Sequence, residues 1–237
     1  DGLDWPGLAG VMDQFSAALA KVGYPPCPGK VMVNNPHWRM TVAQWQARIN
    51  HWSRDYGGQG ALDLSIAVDG RPIAGNAALF APVKQQLMAL GRDEILLHHL
   101  AAATLEFDTP LTFFGRVRSD DAGIDIKKGG IFPVVHGLRC LALRHGITDT
   151  DSRERCAALV ECGELSTELG RDLPQALNVF QHMRLDAQFA TLAEGRVAGN
   201  HIDPARLRRL DRELLRDALH VVKEFRGHIR HSFHLND

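Results

Sequence analysis

The second half of the sequence constrains the fold most, because from about residue 91 onward its apolar residues recur at helical spacing. The first such stripe comprises Ile95, Leu96, His99, Leu100 and Ala103. Further helices are predicted over 133–145, from Asp151, from Asp172–Pro174 and from Asp203–Pro204. Several helices joined by short links favour a bundle. We therefore predict a mainly α protein with a helical substrate-binding domain over residues 91–237.

The first 90 residues show a different pattern, which predicts a small α/β part. An amphipathic helix is followed by a loop rich in Pro and Gly, and Thr41 with Gln44 forms a capping box that begins a second helix. Over residues 62–69, apolar and polar residues then alternate, which indicates a strand with one buried face. Residues 1–90 are therefore predicted to be the remaining, C-terminal part of an α/β domain.

Asp69 and Arg71 stand together at the end of the predicted strand. At strand spacing their positions lie within about 7 Å of each other. This pair has two readings: a site for metal and phosphate, or an ion pair at the edge of a sheet.

Composition excludes several classes of protein. With 27 basic and 28 acidic residues the formal charge is −1, so no basic field for duplex DNA is expected. The four cysteines form no Cys-x-x-Cys pair, and no apolar run approaches the roughly 18 residues of a membrane span. We expect a cytoplasmic protein with no membrane contact and no DNA partner.

Six segments together resemble a known family. They are "GYPPCPGKVMVNNPHWR", "VDGRPIAG", "FFG", "IDIKKGG", "PVVHGLRCLALRHGI" and "GNHIDPARL", and they follow the order of the family over nearly the whole chain. The sequence resembles nucleotidyltransferases that are often fused to cystathionine-synthase-type (CBS-pair) or cyclic-nucleotide-binding modules. These are similar in turn to the uridylyltransferase that modifies the PII nitrogen-regulator protein.

The resemblance implies a nucleotidyltransferase α/β domain followed by a helical substrate-binding domain, with a nucleoside triphosphate as substrate and Mg²⁺ as cofactor. It also implies that Asp69 is the third metal-binding carboxylate, with Arg71 neutralising phosphate or orienting Asp69. The other two aspartates of the family precede its first helix. The sequence opens at Asp1 without a methionine, and we expect an N-terminally truncated chain that is inactive alone.

A second group of candidates lies in the loop rich in Pro and Gly. Gly29, Lys30 and Arg39 could approach a triphosphate, with Trp38 as a packing or stacking surface. Alternatively, the same loop only covers the edge of the sheet.

A third group lies in the helical region. Asp125, Lys127 and Lys128 precede two glycines, and Arg139 follows on the next helix. Lysines at a junction between a loop and a helix suit phosphate binding, and solvated surface charge is the alternative.

Two functions therefore stay open. In the first, the chain is part of a signal-transduction enzyme that transfers a nucleoside monophosphate to a protein or small acceptor, controlled by an upstream CBS or cyclic-nucleotide-binding domain. In the second, it is a regulatory module that binds a nucleotide or a partner protein without turnover.

Overall fold

The computed structural model describes residues 5–56, 58–119 and 123–235. Nine α-helices and one two-stranded sheet make up most of the regular structure of these residues. The helices are α1 (Trp5–Lys21), α2 (Val42–Trp52), α3 (Gln59–Val68), α4 (Ala81–Ala89), α5 (Glu94–Ala102), α6 (Phe132–Arg144), α7 (Ser152–Glu161), α8 (Thr167–Ala193) and α9 (Arg209–Ser232). The strands are β1 (Ile124–Asp125) and β2 (His201–Ile202), which pair antiparallel.

The prediction of a mainly α fold with a small α/β part is confirmed. Two helix starts differ from the predicted ones, however. Helix α8 begins after Ser166, whose hydroxyl caps the Leu169 amide, so Pro174 lies inside the helix. Helix α9 begins after Arg208, beyond the predicted Asp203–Pro204 start. The only two strands among the described residues lie within the region that was predicted to be all helical.

The predicted strand at 62–69 is wrong, because these residues belong to α3 and its C-terminal cap, Asp69. The buried positions of this segment include Gly60, Asp63, Leu64, Ala67 and Val68, which recur at helical spacing. Leu62, by contrast, is 52% exposed. The alternation of apolar and polar residues therefore does not reflect a strand, and the buried face of the helix contains a polar residue, Asp63.

The predicted capping box at α2 is confirmed. The Gln44 amide donates to the Thr41 hydroxyl, and the Gln44 side chain accepts from the Thr41 amide. Beside this helix the rings of Trp38, Trp45 and Trp52 pack with centroids 5.7–6.1 Å apart. The N-terminal helices therefore have an aromatic core of their own.

Helix α6 lies at the centre of the molecule, in contact with α3, α5, α7 and α9. One hydrophobic cluster includes Val68 and Leu87 from the N-terminal part and Leu97 and Leu141 from the C-terminal part. This cluster crosses the predicted domain boundary near residue 90, and that division stays a prediction. No described helix is both long enough and apolar enough to cross a membrane.

Glu164 links the end of α7 to α6 and α9. Its carboxylate contacts His145 Nε2 at 2.8 Å and His228 Nε2 at 3.0 Å, and it accepts a hydrogen bond from the Ser232 hydroxyl at 2.9 Å. Partial burial acts to raise the pKa of Glu164, but these hydrogen bonds outweigh it and hold the pKa below its ordinary value. This contact fixes the C-terminal helix on the bundle.

Candidate functional site

Asp69 lies between two arginines from different helices. Its Oδ2 is 2.6 Å from Arg139 NH2 and its Oδ1 is 2.5 Å from Arg155 NH2. Arg155 is only 1% exposed, and its Nε donates to the Asp149 carbonyl at 2.7 Å. At the same helix end, Lys84 Nζ donates to the Val68 carbonyl. The structure thus brings together two predicted site residues, Asp69 and Arg139, and adds Arg155.

The electrostatics of this cluster favour charged Asp69. Burial alone would raise the pKa of Asp69, but hydrogen bonds and charges from Arg139 and Arg155 lower it below its ordinary value. Beside the cluster, burial and, to a smaller extent, the charge of Arg139 lower the pKa of His136 to about 4. The imidazole is therefore neutral at neutral pH, although its Nε2 lies 2.8 Å from the Leu100 carbonyl and this contact acts to raise the pKa.

The described residues do not fit a magnesium ion. Mg²⁺ requires several oxygen ligands, chiefly carboxylates and phosphates. Across residues 5–56, 58–119 and 123–235, no group of three or more His, Cys, Asp or Glu side chains is placed to hold a metal. Both carboxylate oxygens of Asp69 are occupied by guanidinium groups. The metal-ligand role of Asp69 stays a prediction, and its observed contacts favour a structural role.

The N-terminal candidates are spread over the surface of the loop between α1 and α2 and the loop after α3. Gly29 and Lys30 are exposed in a turn, and Arg71 is exposed beyond Asp69. Trp38 packs against the other tryptophans. Arg39 lines a shallow hollow of about 390 Å³ together with Arg48. The structure does not bring these residues to Asp69.

Five cationic side chains surround two adjoining hollows, of about 480 and 310 Å³, that share Asp108 and Arg118. We call this feature the basic pocket. Its cations come from the loop after α5, the start of α6 and one face of α9; they are Arg118, Lys128, Lys223, Arg226 and Arg230. The described carboxylates that line it are those of Glu106, Asp108 and Asp125. Its size suits a small anionic ligand.

Predicted residues Asp125 and Lys128 form one wall of the basic pocket. The Asp125 carboxylate accepts from the Lys128 amide at 3.1 Å, and Lys128 Nζ lies 5.3 Å from the centre of the Phe107 ring. This wall is a π-helical turn, Lys127–Ile131, that leads directly into α6. A Cβ on Gly129 would lie 2.7 Å from Pro110 Cδ, so only glycine lets the loop pack this closely. Lys127 is exposed and does not line the pocket.

Arg226 lines the other hollow of the basic pocket and is held by two hydrogen bonds. Its NH1 donates to the Thr109 hydroxyl at 3.0 Å and its NH2 to the Leu105 carbonyl at 3.2 Å. Its nearest carboxylate, Asp108, is 3.8 Å away and 82% exposed. Desolvation lowers the pKa of Arg226, yet a guanidinium stays charged at neutral pH. The basic pocket thus combines a fixed guanidinium in one hollow with a lysine on a flexible stem in the adjoining one.

Arg155, Arg118 and Arg226 are functional candidates that only the structure reveals. Arg155 carried a signal, since it lies one position before Cys156 and four before Leu159, both buried on the same helix. A charge within an apolar stripe indicates a buried partner. Arg118 and Arg226 had no such signal, because the pocket joins segments more than a hundred residues apart.

Comparisons with known proteins agree with this organisation. Residues 94–233 match the model of the family described as "Putative nucleotidyltransferase substrate binding domain", which is more than half of the chain. Residues 1–59 match the model described as "Putative nucleotidyltransferase DUF294". No curated protein and no solved structure matches significantly. The matches support a nucleotidyltransferase-type function. From the extent of the first match, the chain belongs to the family of nucleotidyltransferase substrate-binding domains.

Proposed function

We propose that the basic pocket binds the phosphate groups of a nucleoside triphosphate for nucleotidyl transfer. The observation that carries this is the convergence of five cationic side chains on a hollow whose described lining has only three carboxylates. One of these, Asp125, is already engaged by the Lys128 amide. A phosphate chain would complement the remaining positive charge.

The parts of the pocket suit different tasks. Arg226 is fixed by two hydrogen bonds and offers a rigid charge, whereas Lys128 has a flexible stem that can follow a phosphate. The positive end of α6 also points toward the pocket, because the Lys127–Ile131 turn leads into that helix. These residues bind and orient the phosphates.

The wider reaction belongs to the same proposal and is supported by family membership. A nucleoside monophosphate would pass from the triphosphate to a protein or small acceptor, under control of a CBS or cyclic-nucleotide-binding module in the same cytoplasmic protein. Divalent metal supplies charge neutralisation in such transfers when bound. Since the described residues do not fit Mg²⁺, the role we assign to them is binding alone.

Adjacent lysines provide a matched test. Lys128 lines the pocket and Lys127 does not, although both are exposed at the same turn. Calorimetric titration with ATP or UTP at low salt is expected to show binding that Lys128→Ala weakens by about tenfold. Lys127→Ala should bind nearly as well as the unmodified chain.

Equal losses in the two variants would show a diffuse charge effect and contradict a built pocket. Undiminished binding by Lys128→Ala would contradict it as well. Both substitutions are at exposed positions, so the circular dichroism spectrum should not change.

A further inference from the structure

Two adjacent phenylalanines extend into solvent from a tight turn. Phe113 is 94% exposed and Phe114 is 86% exposed, and their rings pack edge to face with centroids 5.5 Å apart. We call residues 111–117 the Phe-Phe turn. Exposure of two neighbouring aromatic rings is unfavourable for a free surface, which indicates that something covers them.

The Phe-Phe turn is held in a fixed conformation. The Thr112 amide donates to the Arg116 carbonyl at 2.7 Å, and the Gly115 amide donates to the Thr112 carbonyl at 2.9 Å. Gly115 has a φ of +72°, and its carbonyl lies 3.2 Å from His220 Nε2 on α9. Because the turn is already ordered, binding through it costs little conformational entropy.

A second feature without an occupant is a cleft of about 860 Å³ between α8, α9 and the segment around β2. We call it the α8–α9 cleft. Buried Met183 and Ile202 form its apolar floor. Arg196 and Arg206 also line it, but both pair with Glu194. Asp186 and Asp211 line it too, and within the described ranges neither carboxylate has an ion-pair or hydrogen-bond partner. The cleft therefore suits an apolar group accompanied by positive charge.

The Phe-Phe turn has the complementary chemistry. Arg116, beside the two phenylalanines, is exposed, and in the described part of the chain its guanidinium makes no ion pair. The turn offers aromatic rings with a cation, and the cleft offers apolar walls with carboxylates. Both features lie along α9, since Leu214 lines the cleft and His220 holds the turn, roughly two helical turns apart.

We propose that this chain forms a twofold-symmetric homodimer in which the Phe-Phe turn of each copy inserts into the α8–α9 cleft of the other. A twofold axis near Asp217 sets the two α9 helices antiparallel. The position of His220 in one copy then faces that of Leu214 in the other, and the reverse contact follows by symmetry.

The area involved is sufficient for a stable dimer. Four phenylalanine side chains bury roughly 600–1,000 Å² in total. The cleft walls that they cover bring the interface near the roughly 1,600 Å² of a standard interface. The Phe-Phe turn adjoins the basic pocket, because Leu111 lines that pocket, but Phe113 and Phe114 do not line it. Replacing the two rings therefore tests the dimer without removing a residue of the basic pocket.

Sedimentation velocity over a range of protein concentrations tests the dimer with two kinds of variant. Phe113→Ser/Phe114→Ser removes the rings, and Ala190→Trp fills the cleft. Each buried phenylalanine is worth at least about tenfold in affinity, so removing all four should raise the dissociation constant at least about 10⁴-fold. Ile73→Ser is the matched control, because Ile73 is 93% exposed outside both features.

The expected result is a dimeric unmodified chain, a dimeric Ile73→Ser control and two monomeric variants. The helix content of the Phe113→Ser/Phe114→Ser monomer by circular dichroism should be unchanged, since both rings are exposed within one copy. Its urea midpoint should fall to a value that no longer depends on protein concentration, because the stabilisation by dimerisation is lost. A monomeric unmodified chain, or variants that dimerise as tightly, would overturn the proposal. So would a monomer that binds vesicles of anionic lipid through the same phenylalanines, since the turn would then serve a membrane.

Discussion

Replacement of Asp69 by asparagine tests whether this carboxylate serves the fold. Asn keeps the shape of the side chain but removes the charge that Arg139 and Arg155 face at 2.6 and 2.5 Å. The side chain of Arg155 is 2% exposed and cannot regain water without local unfolding. Loss of one partner from a buried ion pair leaves an uncompensated charge, so the free energy of unfolding should fall by about 3 kcal/mol.

The assay is urea unfolding of Asp69→Asn and the unmodified chain at neutral pH. Asp172→Asn serves as the control, because Asp172 pairs with an Arg171 side chain that is 64% exposed. Surface pairs of this kind contribute less than about 1 kcal/mol. The control variant should therefore unfold at nearly the original urea concentration.

The opposite result would support the predicted metal-ligand role. A carboxylate kept for a metal is expected to leave stability unchanged, or to raise it, when it is replaced in metal-free protein. An unfolding free energy for Asp69→Asn equal to or above that of the unmodified chain would refute the structural reading.

The stability of the fold at low pH should also depend on the Asp69 carboxylate. The pKa of Asp69 is lower in the folded chain than in the unfolded one. Its stabilisation is therefore complete above the unfolded value of about 3.9 and is lost as the pH falls through the lower folded value. In Asp69→Asn, the fall in the free energy of unfolding with falling pH should be smaller, because this variant has no carboxylate at position 69 to protonate.

Two further outcomes are expected. The folded pKa of His136 is about 4, below the unfolded value near 6.5, so its contribution is complete above pH 6.5 and is lost as the pH falls toward 4. In His136→Gln, the change in the free energy of unfolding between pH 6.5 and pH 4 should be smaller by about 3 kcal/mol. Urea unfolding at several pH values measures this, and a pH profile equal to that of the unmodified chain would contradict it. Gly129→Val should displace Pro110 from the basic pocket and weaken triphosphate binding in calorimetry while the helix content by circular dichroism is kept; undiminished binding would show that close packing there is not required.

Local signals predicted much of the fold. The capping box at Thr41 and the Asp151 cap of α7 depend on neighbouring residues only, and both appear as expected. The helical stripes after residue 91 were equally readable. The predicted start of α8 is wrong because proline favours the first turn of a helix, whereas Pro174 lies inside α8 and the Ser166 cap lies further upstream.

Tertiary contacts decided what the sequence could not. The buried face of α3 includes Asp63, which is tolerated because His37 Nε2 lies 2.6 Å from its carboxylate and Gln59 donates to it at 2.8 Å. Both β1 and β2 are two residues long and form only because Ile124 meets Ile202 across the chain. No short stretch of sequence indicates either of these contacts.

In the candidate site, too, some residues were predictable from the sequence and others are brought in only by tertiary contacts. Asp125, Lys128, Asp69 and Arg139 were found from residue type and spacing. The Arg155 partner of Asp69 lies 86 positions along the chain, and the α9 wall of the basic pocket is equally remote in sequence.

Amide spectra of ¹⁵N-labelled chain during titration with ATP or UTP test the central claim most directly, because they show where the phosphates bind. The amides of Gly129, Gly130 and Arg118 should shift saturably, since they lie at or beside the basic pocket. Amides of the α8–α9 cleft, such as Ala187, should stay in place. Shifts confined to that cleft or to the loop around Lys30, with the Gly129 and Gly130 signals unmoved, would contradict the account.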